Sequence, residues 1–181
     1  AATLEALRAG VDGFEHGYFL NREVFREIKK KGAWYVPTIV VSQSGAMEFF
    51  KKIGSPQWYL DRAKSVGIDH MKALKTAIEM EVNIAMGSDQ LPSEPNEGTV
   101  ASVREIELYA EAGMSPIRAL RTATPETARM LEISDDVGTI EPGKYADILM
   151  VTADPAEDIR ALRTIGFVMK GGEVYRNDWA K

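Results

Sequence analysis

Cysteine is absent from this 181-residue sequence, and histidine occurs only twice. Without a thiol the chain has no disulfide, no thiolate metal site and no cysteine nucleophile. No apolar run approaches the roughly 18 residues that span a membrane, and the net charge of −5 gives no attraction for nucleic acid or an anionic bilayer. The composition therefore fits a globular protein, and we expect neither nucleic acid nor membrane as partner. The compartment stays open, with the cytoplasm only slightly favoured.

Helical and strand-like segments alternate along the first part of the sequence. The predicted elements are, in order, helix 2–9, strand 11–15, helix 22–31, strand 33–39, helix 57–81, strand 82–87 and helix 99–112. Such alternation is typical of βα units and a parallel sheet. A closed eight-stranded barrel takes about 250 residues. The pattern therefore fits either a small open sheet or the last third of a barrel.

The composition changes at Val137, after which glycine and proline interrupt the chain frequently. Residues 146–151 have the pattern of a strand, and a hairpin is expected around Gly171 and Gly172. These segments predict a small antiparallel module. We therefore expect two domains, residues 1–136 and residues 137–181.

Two residues with the chemistry of metal ligands follow predicted strands of the first domain. Asp89 comes just after the apolar run 82–87, and His16 follows strand 11–15. Barrel enzymes carry their catalytic groups at the carboxyl ends of the strands, and imidazole and carboxylate are common ligands of zinc and related metals. If both strands belong to one sheet, the two side chains converge on a metal site. Structural roles, a half-buried histidine and a turn aspartate, stay open.

Five segments occur in the order in which one known superfamily carries them. They are residues 9–17, 36–38, 84–89, 111–124 and 138–147, of which the last is the most specific. Together these segments resemble the amidohydrolase superfamily, in particular its imidazolonepropionase-like and prolidase-like (Xaa-Pro dipeptidase) branch. The resemblance extends over nearly all of the chain and concerns the C-terminal portion of those enzymes.

The resemblance implies an α/β fold: the C-terminal part of a (β/α)8 TIM-type barrel, followed by part of a small β-sandwich. By position, His16 would bind a divalent metal, zinc by ligand type, at the sixth barrel strand. Asp89 would bind metal at the eighth strand and carry the proton of the attacking water. The reaction implied is hydrolysis of a C–N bond in a dipeptide or an N-acyl amino acid. A metal acidifies water enough to supply hydroxide near neutral pH, and a carboxylate can pass the proton to the leaving amine.

The superfamily's other metal ligands are missing from the sequence. There is no His-x-His, and the second histidine, His70, falls in mid-helix, where we expect a surface or half-buried position. The chain begins without methionine, inside the helix–strand pattern, so it resembles a C-terminal fragment that retains at most two ligands. Catalytic zinc normally has three protein ligands. The isolated chain would therefore hold metal poorly and could be inactive.

Two alternatives stay open at this point. The chain could be an inert fragment whose open barrel edge pairs with another copy, since exposed strand edges favour self-association. The same scaffold would also suit a deaminase or a cyclic-amide hydrolase.

Substrate binding has two further candidate residues. Tyr18 lies just beyond the first of the two strand tips, and Arg104 could bind a substrate carboxylate through paired hydrogen bonds. Arg104 could equally pair with Glu105 or Glu107 on a solvated helix. The loop 90–98 is a candidate specificity element.

Overall fold

The computed structural model describes residues 2–90 and 95–180 of the chain. The chain divides into two compact units, residues 1–114 and residues 115–181. This division lies upstream of Val137, where the composition changes, and the domain boundary at that residue stays a prediction. Each unit has its own sheet.

A three-stranded parallel sheet in the order β1-β2-β3 lies in the first unit. The strands are β1 (Gly13–Glu15), β2 (Trp34–Val36) and β3 (Asn83–Ile84). Because neighbouring strands run parallel, with Tyr35 opposite both Phe14 and Ile84, their carboxyl ends meet at one edge of the sheet. The predicted parallel sheet is confirmed, although each strand is shorter than predicted.

The described part of the first unit contains the helices α1 (Ala2–Ala9), α2 (Arg22–Lys31), α3 (Ser44–Lys52), α4 (Gln57–Glu79) and α5 (Ala101–Glu111). Local sequence sets the ends of α2: the Asn21 side chain accepts the N–H of Val24 at 3.1 Å, and Gly32 ends the helix at a φ of 68°. Its inner face buries Phe25 and Ile28 completely. No helix within the described ranges is both long and apolar enough to span a bilayer.

Short elements connect these helices to the sheet. A 3-10 turn, Ile39–Ser42, follows β2 after two intervening residues. The predicted loop 90–98 contributes to a small antiparallel hairpin of β4 (Pro95–Asn96) and β5 (Thr99–Val100). Residues 91–94 of that loop lie outside the described residues.

The second unit combines short helices with a three-stranded antiparallel sheet in the order β6-β7-β8. Its elements are α6 (Pro116–Thr122), α7 (Pro125–Met130), β6 (Ile148–Val151), a 3-10 helix (Ile159–Arg163), β7 (Ile165–Lys170) and β8 (Glu173–Asn177). Gly171 and Gly172 join β7 to β8 with φ values of 57° and 86°, which glycine adopts without steric cost. The predicted hairpin around these glycines is confirmed.

Candidate active site

Non-glycine residues with left-handed backbone angles follow each strand of the parallel sheet. The φ angle is 63° at His16, 52° at Thr38 and 48° at Asp89. This conformation costs an L-residue roughly 1–2 kcal/mol, and it is a true outlier for a β-branched threonine. Because such outliers cluster at active sites, the three residues mark the carboxyl edge of this sheet as the candidate site.

His16 is held through both its ring and its backbone. Its Nδ1 atom lies 2.6 Å from Oγ1 of Thr38. Its backbone N–H donates to the carbonyl of Val36 at 3.0 Å, and its own carbonyl accepts the hydroxyl of Tyr35 at 3.0 Å. Contacts with β2 and with Thr38 therefore fix the position of His16.

His70 lies beneath this contact and is fully buried. Its Nε2 atom is 2.7 Å from the carbonyl oxygen of Pro37 and 3.0 Å from that of His16, while its Nδ1 atom is 2.9 Å from Oγ of Ser42. Burial lowers the pKa of His70 to about 4, although the hydrogen bonds to the two carbonyls act in the opposite direction. The expected surface or half-buried position is wrong, because the ring is a neutral cross-link between strand ends.

Glu105 on α5 is a second buried polar group that the sequence did not reveal. It is 0% exposed, and its two carboxylate oxygens accept the N–H groups of Ile39 at 2.8 Å and Val40 at 2.7 Å. Burial raises the pKa of Glu105 to about 7, against the lowering effect of these hydrogen bonds. The helical spacing could have indicated that Glu105 is buried, because Glu105 lies on the same helix face as the buried Ala101 and Tyr109, four residues away on each side.

A cavity of about 760 Å³ brings the two predicted metal ligands together. His16 and Asp89 both line it, along with Tyr18 and the cationic Arg62 of α4. Most of the other lining side chains are aromatic or aliphatic: Phe19, Val41, Phe49, Phe50, Tyr59, Ala63 and Val66. The cavity therefore combines an apolar wall with a few charged and polar groups, which is the usual composition of a small-molecule site.

Tyr18 lies against both histidines. Its ring stacks on His16 at 5.9 Å between centroids with an interplanar angle of 8°, and it meets the edge of His70 at 4.4 Å. Burial, followed by the nearby Tyr59 and Asp89, raises the pKa of the Tyr18 hydroxyl. The hydroxyl therefore stays protonated near neutral pH and can donate a hydrogen bond.

Arg104 lies apart from the residues that line this cavity. Its side chain is 11% exposed and forms ion pairs with Glu97 at 2.6 Å, Glu107 at 3.2 Å and Glu111 at 2.5 Å. Its hydrogen bond and ion pair with Glu111, followed by those with Glu97, raise the pKa of Arg104 despite the desolvation that opposes them. The network ties α5 to the turn between β4 and β5, and the substrate role of Arg104 stays a prediction.

The donor set fits a divalent metal only in part. Imidazole nitrogen and carboxylate oxygen are suitable zinc ligands, but a catalytic zinc takes three protein ligands. Within residues 2–90 and 95–180, no group of three His, Cys, Asp or Glu side chains could hold a metal ion. His16 and Asp89 could therefore supply only part of a metal site.

The sequence resembles characterised proteins over nearly its whole length. Ochratoxinase of Aspergillus niger is 26% identical over 97% of this chain, and the match covers 36% of that protein. Adenine deaminase of Rubrobacter xylanophilus is 38% identical over 65 residues, 34% of this chain and 11% of the deaminase. The chain thus spans well under half the length of these relatives.

Structural similarity agrees with the sequence matches. The crystal structure of a Xaa-Pro dipeptidase, with methionine bound in its active site, superposes with a TM-score of 0.82 at 35% identity, covering 97% of this chain and 42% of the dipeptidase chain. The mixed α/β fold is therefore that of amidohydrolase structures. The family model described as "Amidohydrolase family" matches residues 1–175. The resemblance noted in the sequence is confirmed, and the chain belongs to the amidohydrolase family.

Proposed function

We propose that the complete protein is a metal-dependent hydrolase that cleaves a C–N bond in a small amide. The observation that carries this proposal is the position of His16 and Asp89, which follow β1 and β3 of one parallel sheet and line one cavity. Carboxyl ends of parallel strands are where barrel enzymes hold their catalytic groups. Membership of the amidohydrolase family supports the same reaction class.

The proposed architecture follows from the same family. We assign β1, β2 and β3 to the last three strands of a (β/α)8 barrel and β6, β7 and β8 to part of a β-sandwich, with the boundary near Val137. The coverage of 42% of the dipeptidase chain supports a larger whole protein. Residues outside this chain would then complete the barrel and the metal site.

His16 and Asp89 would hold the divalent metal, zinc by donor type, through an imidazole nitrogen and a carboxylate oxygen. When bound, such a metal lowers the pKa of water so that hydroxide is available near neutral pH. The Asp89 carboxylate then accepts the proton of the attacking water and passes it to the leaving nitrogen. Tyr18, stacked on His16, contacts the substrate with a hydroxyl that remains a hydrogen-bond donor.

The cavity supports a substrate with an apolar group and a negative charge, such as a dipeptide or an N-acyl amino acid. Phe49, Phe50 and Tyr59 form aromatic wall surface. Arg62 is exposed, and its guanidinium has no hydrogen bond or ion pair to any residue within 2–90 or 95–180. An unpaired guanidinium beside an apolar wall suits a carboxylate, which it binds through two parallel hydrogen bonds.

The test is hydrolysis by the complete protein before chelation, after chelation and after zinc is restored. We expect N-acyl-phenylalanine or a phenylalanine-containing dipeptide to be cleaved, activity to disappear with the metal and to return with zinc. Persistent cleavage in the metal-free protein would contradict the proposed mechanism.

Two alternatives predict different outcomes, the first in the complete protein and the second in the isolated 181-residue chain. A deaminase, which the similarity to adenine deaminase favours, would release ammonia from adenine and leave the N-acyl amino acids intact. An inert, self-associating chain would show no turnover and would elute as an oligomer. In the parallel sheet, β1 and β3 each have one neighbour within the described residues, so both have a free edge there.

A further inference from the structure

Thr38 contacts two groups that compete for its single hydroxyl proton. Its Oγ1 atom lies 2.6 Å from Nδ1 of His16 and 2.6 Å from the carbonyl oxygen of Pro37. A hydroxyl donates one hydrogen bond and accepts two. The assignment of this one proton therefore decides which nitrogen of the His16 ring is protonated.

The carbonyl of Pro37 settles the assignment. A carbonyl oxygen accepts hydrogen bonds and never donates, so a 2.6 Å contact between two oxygens requires the proton of Thr38 to lie between them. Oγ1 of Thr38 then faces His16 with a lone pair, and Nδ1 of neutral His16 must donate to it. In this tautomer the Nε2 atom of His16 carries a lone pair.

The Nε2 atom of His16 makes no hydrogen bond to any residue within 2–90 or 95–180, and the ring lines the 760 Å³ cavity. We propose that Thr38 is a positioning residue: its hydroxyl holds His16 in the Nδ1–H tautomer and so keeps the Nε2 lone pair available to a ligand in the cavity. The identification of this ligand as the metal rests on the proposed function. The tautomer of His16 does not depend on the proposed function.

Thr38 is fixed from two directions in its left-handed conformation. The Glu105 carboxylate accepts the N–H groups of Ile39 and Val40, the two residues that follow it. His70 donates from Nε2 to the carbonyl of Pro37, the residue that precedes it. These bonds stabilise a turn whose φ of 52° is unfavourable for threonine. The hydroxyl therefore meets His16 in one defined geometry.

The two histidines make the proposal directly measurable by NMR. The chain has only His16 and His70, so a long-range ¹H–¹⁵N spectrum of the 181-residue chain contains two imidazole patterns. At about pH 9, an ordinary histidine with a pKa of about 6.5 is neutral and shows one tautomer or a mixture. We expect the Nδ1–H pattern for His16. We expect the Nε2–H pattern for His70, because its Nε2 must donate to carbonyl oxygens.

The matched variants are Thr38→Val and Thr38→Ser. Valine keeps the shape and the β-branching, so the backbone strain is unchanged while the hydroxyl is lost. We expect Thr38→Val to convert most of the His16 signal to the Nε2–H pattern, and Thr38→Ser to retain the Nδ1–H pattern. An unchanged His70 pattern in both variants would establish that the turn is still folded.

Three results would overturn the proposal: an Nε2–H pattern for His16 in the wild type, no change in Thr38→Val, or loss of the pattern in a folded Thr38→Ser. The wild-type spectrum alone tests the tautomer of His16, even if Thr38→Val fails to fold.

Zinc titration of the complete protein separates this proposal from the proposed function. We expect Thr38→Val to weaken zinc binding about 10–100-fold, as removal of other outer-shell partners does. If zinc does not bind near His16 at all, the proposed function fails while the tautomer result stands.

Discussion

At the scale of single residues, the site depends on residues whose backbone conformations are unfavourable. His16, Thr38 and Asp89 all have left-handed backbone angles at strand ends. The sequence indicated His16 and Asp89 as candidate ligands, because each follows a predicted strand and has ligand chemistry. It did not identify Thr38 or Glu105, since their roles depend on contacts between residues that are 22 and 65 or more positions apart.

Arg62 provides a residue-scale prediction about substrate charge. In the complete protein, Arg62→Met should lower kcat/KM about 10–100-fold for an N-acyl amino acid, because a hydrogen bond to a charged group contributes about 1.5–3 kcal/mol. The corresponding carboxamide lacks the negative charge, so its kcat/KM should change little.

Lys64→Met is the matched control for this prediction. Lys64 lies on the same helix and has the same charge, but it is not among the residues that line the cavity. Kinetics with the acid and the amide of one substrate check the prediction. If Arg62→Met affects both substrates equally, Arg62 does not bind the carboxylate.

At the scale of elements, α5 stabilises the turn after β2 through a buried carboxylate. The folded pKa of Glu105 is about 7, above the ordinary value of 4.5. Between these values the folded state binds more protons than the unfolded state, so this group's contribution to stability falls as pH rises. The loss begins near the unfolded pKa and is complete above about pH 7. His70 acts in the opposite direction, because its lowered pKa favours the folded state as pH rises from about 4 to 6.5.

A comparison of variants isolates the contribution of Glu105. We expect Glu105→Gln to abolish the pH dependence of stability that comes from Glu105. The difference in unfolding free energy between variant and wild type should then change across this pH range, by about 1.4 kcal/mol for each unit of pKa shift. Urea unfolding at about pH 5 and about pH 8 measures it. Glu23→Gln, at an exposed position of α2, is the control. An identical pH dependence in Glu105→Gln and wild type would contradict the buried titration.

Most elements could be predicted from local sequence, but the lengths of the strands could not. The ends of α2 follow from Asn21 and Gly32, and the hairpin follows from Gly171 and Gly172. The strand β2 ends before its predicted end, because the chain leaves the extended conformation at Thr38. The strand β1 ends where predicted but begins two residues later. The burial of His70 could not be predicted, since the carbonyl groups it contacts belong to two separate strand ends.

At the scale of the whole molecule, the chain carries two candidate ligands on one parallel sheet and spans 36% of the ochratoxinase it matches. Three protein ligands are normal for catalytic zinc. The proposed metal site therefore needs at least one ligand besides these two. The described residues that line the cavity all belong to the first unit.

The central claim is that His16 and Asp89 are metal ligands of one hydrolytic site. The most direct measurement is the zinc affinity of the complete protein, determined by competition with a chelator, for the wild type, His16→Ala, Asp89→Ala and the surface control Asp61→Ala. We predict that each site variant binds zinc at least about tenfold more weakly, as expected when a direct ligand is lost rather than an outer-shell partner. The control should match the wild type. Wild-type affinity in either His16→Ala or Asp89→Ala would contradict the claim.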